Sequence, residues 1–165
     1  ISLLYTLTII PEQPTQQTQY IQLTVKDWLY KNFTSSLYEN LTYTQELFMK
    51  VKQHLLTRKP VLDMPHHDLK KIIKKNIIDL QEKKHRSKVW LSKHKKELLN
   101  VIKVYIKENS SPTSWKLFQY LNSSNKPACK NLQEVMSRTT LLPVFINELV
   151  KKIINKELEK LNPST

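Results

Sequence analysis

Few side chains in this sequence combine the type and spacing that nucleophilic catalysis requires. The single cysteine, Cys129, lies between Lys126 and Lys130, and neighbouring cations can lower a thiol pKa and increase its reactivity. No histidine stands with it in the pattern of a Cys–His pair, and the flanking sequence offers no glycine-lined loop to hold an oxyanion. We therefore interpret Cys129 as a structural cysteine of a helix.

The histidines do not have the spacing of a metal site. His66 and His67 are adjacent, and His85 and His94 are nine residues apart. Zinc ligands on one helix typically stand at positions i and i+4, so that both side chains reach the same ion. The sequence therefore predicts no metal ion.

Carboxylate spacing and glycine usage also argue against an enzyme. Glu157 and Glu159 suit a solvated face of the last helix rather than general acid–base chemistry, which requires a buried carboxyl group. The chain contains no glycine. Glycine supplies the positive φ and the close backbone approach on which phosphate-binding loops, dinucleotide fingerprints and nucleophile elbows depend. The sequence predicts a protein that is not an enzyme and that holds no cofactor.

Positive charge is the one positive functional signal. The formal net charge is +13, and residues 65–108 contribute +8 of it, with thirteen basic and five acidic residues. Lysine outnumbers arginine twelve to one in this stretch, which favours point contacts with phosphates over bidentate contacts with bases. The pattern predicts binding to nucleic-acid phosphates with little sequence specificity. The candidate contact residues are Lys70, Lys71, Lys74, Lys75, Lys83, Lys84, Arg86, Lys88, Lys93, Lys95 and Lys96.

A long helix is predicted to position these lysines. Apolar residues recur at helical spacing from Pro65 to about Glu108. Residues 81–88 inside this pattern include no apolar side chain, and such a segment typically bridges solvent or contacts something charged. Because it would serve no core, we expect its four basic residues to contact phosphate. The alternative is that residues 81–88 form the turn of a helical hairpin.

Shorter helices are expected on both sides of the long one. They are predicted over residues 44–58, 112–121, 127–137 and 140–161. In the second of these, Trp115, Phe118 and Leu121 recur every three residues and are expected to face inward.

The N-terminal region has a different composition. Ile1–Ile10 is β-branched and apolar and predicts a strand, and a linker rich in proline and glutamine follows it. Tyr20–Val25 alternates apolar and polar residues, which predicts a second strand but could equally open a helix. The expected organisation is an extended or β segment over residues 1–25 and a helical domain over residues 26–165.

These features predict a mainly α-helical bundle with one long basic helix, and they leave a short N-terminal β-ribbon open. The expected function is that of a non-enzymatic structural subunit of a larger assembly, above all a ribonucleoprotein. RNA is expected more than DNA, and other protein subunits are expected as partners. The alternative is a helical protein–protein interaction module of a nuclear or cytoskeletal complex without nucleic-acid contact.

Two further expectations concern the compartment. No apolar run approaches the roughly 18 residues of a membrane span, so no membrane partner is expected. A lone cysteine suits a reducing, intracellular compartment, and the sequence does not decide between mitochondrial and nuclear.

Overall fold

A computed structural model describes residues 15–37 and 41–161 of the chain. Helices account for 78% of these residues and none of them lies in a strand, so the prediction of a mainly α-helical fold is confirmed. Within the described ranges the α-helices are α1 (Gln16–Phe33), α2 (Gln45–Arg58), α3 (His66–Glu108), α4 (Ser114–Ser123), α5 (Pro127–Glu134) and α6 (Pro143–Glu159). A 3-10 turn, Val135–Ser137, follows α5 directly.

The strand predicted over Tyr20–Val25 is wrong, because this segment lies inside α1. The buried residues of α1 stand four positions apart, at Ile21, Val25 and Leu29. A strand would bury Leu23 on the same face as Ile21 and Val25, but Leu23 is 62% exposed, so the buried side follows the period of a helix. The helical alternative for this segment is therefore the correct one.

The predicted boundary after residue 25 falls within α1, so the extended N-terminal segment is wrong for residues 16–25. The predicted strand Ile1–Ile10 lies outside the described residues.

The described residues belong to two compact units. The first unit holds residues 15–29 and 43–76, and the second holds residues 30–37, 41–42 and 77–161. Helix α3 contributes its first eleven residues to the first unit and the remainder to the second.

In the first unit, α2 begins at a side-chain cap. The hydroxyl of Thr44 accepts a hydrogen bond from the backbone N–H of Leu47 at 3.0 Å, which satisfies one of the free donors at the helix start. The core of this unit consists of apolar side chains from α1, α2 and the start of α3, namely Ile21, Val25, Leu29, Leu47, Phe48, Val51, Leu55, Leu69 and Ile73.

In the second unit, α4, α5 and α6 pack around the later part of α3. The main buried cluster includes Leu98, Ile102, Leu117, Leu121, Leu132, Ile146, Val150 and Ile154. A smaller cluster is formed by Leu80, Leu142 and Phe145, against which Tyr30, Phe33 and Leu41 pack. The end of α1 and the connection that follows it thus add side chains to this core.

Helix α3 runs without a break over 43 residues. The helical-hairpin alternative for residues 81–88 is therefore wrong. In the part of the chain that the structure describes, no helix combines the length and apolar character needed to cross a bilayer.

Candidate nucleic-acid interface

One side of the polar segment 81–88 of α3 faces the interior of the second unit. Lys84 has 6% of its surface exposed and Ser87 has 0%. Both follow Leu80 at helical spacing, by four and seven residues, and the buried Leu91 continues the same row. The interpretation that this segment serves no core is therefore wrong, because polar side chains occupy the apolar stripe itself.

Lys84 is held by contacts within its unit. Its ammonium group donates a hydrogen bond to the carbonyl oxygen of Ser36 at 3.0 Å and lies 5.2 Å from the centre of the Phe145 ring. Burial lowers the pKa of this amine, and the positive charge of Lys88 lowers it further. A buried cation must keep a polar partner, because its desolvation is otherwise uncompensated. Lys84 is consequently too buried to belong to the predicted contact surface.

Two neighbours of Lys84 also bond to backbone groups of other segments. The side-chain amide of Gln81 donates to the carbonyl of Leu41. The hydroxyl of Ser87 accepts from the backbone N–H of Leu142 at 3.0 Å and donates to the carbonyl four residues earlier at 2.8 Å. Leu142 has no side-chain cap to offer α6, so Ser87 satisfies a donor next to the start of that helix. We refer to Gln81, Lys84 and Ser87 as the inner polar row.

The other three basic residues of this segment are also engaged or partly covered. Lys83 pairs with the carboxylate of Asp79 at 3.6 Å. Arg86 is exposed, but its Nε donates to the carbonyl of Thr140 at 3.0 Å. Lys88 is half-buried. The basic residues that the sequence predicts at the centre of a phosphate-binding surface thus make most of their contacts inside the unit.

In the first unit, the four predicted contact lysines divide into two pairs. The ammonium groups of Lys70 and Lys74 lie 5.2 and 5.3 Å from the centre of the Tyr43 ring. Lys71 and Lys75 are exposed. The first pair therefore makes cation–π contacts with Tyr43. The second pair is open to solvent.

Further along α3, in the second unit, the lysines turn outward. The predicted residues Lys93, Lys95 and Lys96 are exposed, and so are Lys103 and Lys107, which sequence reasoning did not single out. None of the five makes an ion pair with another described residue.

Helical geometry places four of these lysines together. Lys93, Lys96, Lys103 and Lys107 follow one another by three, seven and four residues, which brings them to one face of α3. Lys95 lies off that face. The row spans about 21 Å along the helix axis at about 1.5 Å per residue. We refer to Lys93, Lys96, Lys103 and Lys107 as the outer lysine row.

Cys129 lies in the core and lacks the environment of a reactive thiol. Its side chain is fully buried, and burial raises the pKa of the thiol, although a hydrogen bond from Ser124 and the charge of Lys126 oppose that shift. A raised pKa disfavours the thiolate, which is the nucleophilic form. The two neighbouring lysines therefore do not activate this residue.

Two of the four histidines considered as metal ligands, His66 and His94, have aromatic contacts. The ring of His66 stacks on that of Phe48 with 4.0 Å between centres, and the ring of His94 lies 4.4 Å from that of Trp90. Among the residues that the structure describes, no group of three or more His, Cys, Asp or Glu side chains could hold a metal ion.

The solvated-face interpretation is wrong for Glu157, which is only 9% exposed. Its carboxylate accepts a hydrogen bond from the ammonium group of Lys160 at 2.9 Å. Glu159, two residues on, is exposed as expected.

Trp115 points to solvent and not, as the spacing predicted, into the core. Its exposed fraction is 71%, whereas Leu117 and Leu121 are fully buried and Phe118 is half-buried. A spacing of three residues falls short of a helical turn by about 60°, so the first and third members of such a series diverge. The inward face of α4 is instead defined by residues four apart.

Comparisons of the chain with protein-family models, with curated proteins and with solved structures find no match.

Proposed function

We propose that this protein is a non-enzymatic subunit of a larger assembly, a ribonucleoprotein, and that it contacts nucleic-acid phosphates through the outer lysine row. The observation that carries this proposal is the exposure of four lysines on one face of α3, none of them paired with an acidic side chain of the described chain. Four unneutralised cations along about 21 Å repel one another, and an anionic polymer lying along the row removes that repulsion.

The chemistry of the row favours contacts that position a partner over contacts that read its sequence. Each ammonium group is a point charge on a flexible stem, which binds phosphate oxygens without the planar, bidentate geometry that distinguishes bases. RNA is proposed over DNA because a small, basic chain with one cysteine suits a ribonucleoprotein subunit in a reducing compartment, mitochondrial or nuclear. The burial of Cys129 and its raised pKa support a role without catalysis.

A second function, as a protein–protein interaction module, is favoured by apolar exposure in the first unit. Leu23, Met49 and Val61 have 62%, 53% and 63% of their surfaces exposed. Large exposed apolar side chains are typical of surfaces that a partner covers when they form a patch. In this alternative the outer lysine row is a solvated surface.

The test is a titration of fluorescent RNA at several salt concentrations. Replacing Lys93, Lys96, Lys103 and Lys107 by Gln should weaken binding. It should also flatten the log–log salt dependence by up to about four contacts, each worth about 0.7 on single strands and 0.9 on duplexes. The matched control replaces four other exposed lysines of the same unit by Gln, namely Lys126, Lys130, Lys152 and Lys156.

Both variants lose the same net charge, so a general electrostatic effect would weaken them equally. We expect the control to keep most of the wild-type salt slope. Equal slopes for the two variants, or wild-type protein that does not bind RNA below high micromolar concentration at low salt, would overturn the proposal and leave the protein-interaction function.

A further inference from the structure

The outer lysine row has a wide interval between Lys96 and Lys103. These two residues are about 10.5 Å apart along the axis of α3, whereas the other neighbours in the row are about 4.5 and 6 Å apart. Asn100 lies in this interval, four residues after Lys96 and three before Lys103. At about 100° per residue, it stands within about 60° of each of the four lysines around the helix. An uncharged side chain therefore fills the interval in the row.

Asn100 and the row lie on the side of α3 that faces away from the core. Leu98 and Ile102 are 1% and 0% exposed, and each stands about 160° around the helix from Asn100. Asn100 itself is exposed, as the four lysines of the row are. A partner that reaches the ammonium groups of the row therefore also reaches the amide of Asn100.

The fold makes no use of this amide. The side chain of Asn100 has no hydrogen bond with another residue that the structure describes. Three other asparagines, Asn76, Asn109 and Asn122, instead donate from the side-chain amide to the backbone carbonyl four residues earlier, at 2.7 to 2.9 Å. Asparagine also favours a helix less than lysine or alanine does, so it does not serve the helix either. The donor and the acceptor of Asn100 are thus both available to a partner.

We infer that the amide of Asn100 bonds to the 2′-hydroxyl of a ribose in the strand whose phosphates the outer lysine row contacts. This inference rests on the proposed function and names the contact by which the protein selects RNA over DNA. Phosphates are common to both nucleic acids, whereas the 2′-hydroxyl belongs to RNA alone.

The chemistry and the position of Asn100 both suit this contact. A 2′-hydroxyl is a donor and an acceptor at once, and an amide side chain offers the complementary acceptor and donors. Along a strand, a sugar lies between consecutive phosphates. A short polar side chain between two phosphate-binding lysines therefore faces the sugar of a strand that follows the row.

Titration of a uridine 12-mer and of its 2′-deoxyuridine counterpart tests this inference, since the two strands differ only in the 2′-hydroxyl. Asn100→Ala should weaken binding of the uridine strand by about 2- to 10-fold, the loss expected for one hydrogen bond. Its binding of the deoxyuridine strand should equal that of wild type. The matched control Asn155→Ala removes another exposed asparagine of the same unit and should leave both affinities unchanged. Alanine favours a helix more than asparagine does, so both variants should fold.

A second variant, Asn100→Lys, tests the position of this residue separately from its chemistry. A fifth cation in the row should strengthen binding of both strands. It should also steepen the log–log salt dependence by about 0.7, the value of one phosphate contact on a single strand. In Asn100→Ala the salt slope should equal that of wild type, because no phosphate contact is removed.

Equal weakening of both strands by Asn100→Ala would assign the amide to a phosphate or a base, and would overturn the hydroxyl contact while the phosphate contacts of the row stand. Wild-type affinity of Asn100→Ala for the uridine strand, or a wild-type salt slope in Asn100→Lys, would place Asn100 outside the contact surface and also overturn the inference. If wild-type protein binds neither strand, or if the quadruple lysine variant keeps the wild-type salt slope, the proposed function fails and this inference falls with it.

Discussion

The inner polar row and the outer lysine row belong to the same helix and are separated by only a few residues, yet their environments are opposite. Lys84 of the inner row is 6% exposed and bonds to a backbone carbonyl, whereas Lys93 and Lys96 of the outer row are exposed and lack an acidic partner in the described chain. Both rows contain lysine. The face of the helix decides whether a lysine stabilises the fold or remains available to a partner.

The two rows also show two different roles of a lysine charge, one inside the fold and one at the surface. An ammonium group in the core contributes to the fold only through the polar groups it bonds, and it is costly to desolvate. An exposed ammonium group contributes little to stability but strengthens the field outside the protein. Counting lysines along a sequence therefore overstates the charge that a partner can reach.

Truncation of side chains in the inner polar row is expected to give the largest change in stability of the variants that test this comparison. In the double variant Lys84→Ala with Ser87→Ala, the hydrogen bonds from Lys84 to the carbonyl of Ser36 and from the N–H of Leu142 to Ser87 are lost. The buried N–H of Leu142 is left unsatisfied, which costs about 1–3 kcal/mol, so we expect a loss of about that size in the free energy of unfolding. Denaturant unfolding measures it.

The matched control for the truncation is Lys93→Ala with Lys96→Ala, which should change stability by less than about 1 kcal/mol in total. Equal denaturant midpoints for the two double variants would contradict a stabilising role of the inner polar row.

A smaller effect is expected in the pH dependence of stability. Because the pKa of Lys84 is lowered in the folded protein, the unfolded chain binds more protons between that pKa and the usual lysine value of about 10.4. The stability of wild type relative to Lys84→Met should be constant at lower pH and should rise as the pH climbs through this window. Parallel unfolding measurements from neutral to alkaline pH provide the comparison. A difference that stays flat, or that falls with rising pH, would contradict the burial of this ammonium group.

The sequence was sufficient to predict the mainly helical fold and the long helix, because apolar periodicity over many residues is a strong signal. Residues 81–88 are the exception, because their lack of apolar residues predicts exposure whereas the structure buries Lys84 and Ser87. The stripe from Leu80 to Leu91 continues in phase through Lys84 and Ser87, so extending the periodicity through the polar segment would have found the buried positions. The backbone partners of these side chains, Ser36 and Leu142, depend on tertiary packing that no local pattern encodes.

Similar reasoning applies to the candidate interface. The local charge pattern does not indicate Lys103 and Lys107, because they are scattered among apolar residues, although their spacing from Lys96 places them on the same face. The exposure of Trp115 could not be predicted from residue type, since a tryptophan in an amphipathic helix is usually part of the core.

The most direct measurement of the division between the two rows is amine footprinting of the folded protein. Brief treatment with an acetylating reagent, followed by peptide mass spectrometry, gives a reaction rate for each lysine with and without bound RNA. Lys84 should react slowly under both conditions, because burial blocks access even though a lowered pKa favours the reactive neutral amine. The outer lysine row should react rapidly in the free protein and become protected when RNA binds, while Lys126 and Lys130 stay unchanged. Acetylation of Lys84 as fast as that of Lys96, or no protection of the outer row by bound RNA, would contradict the account.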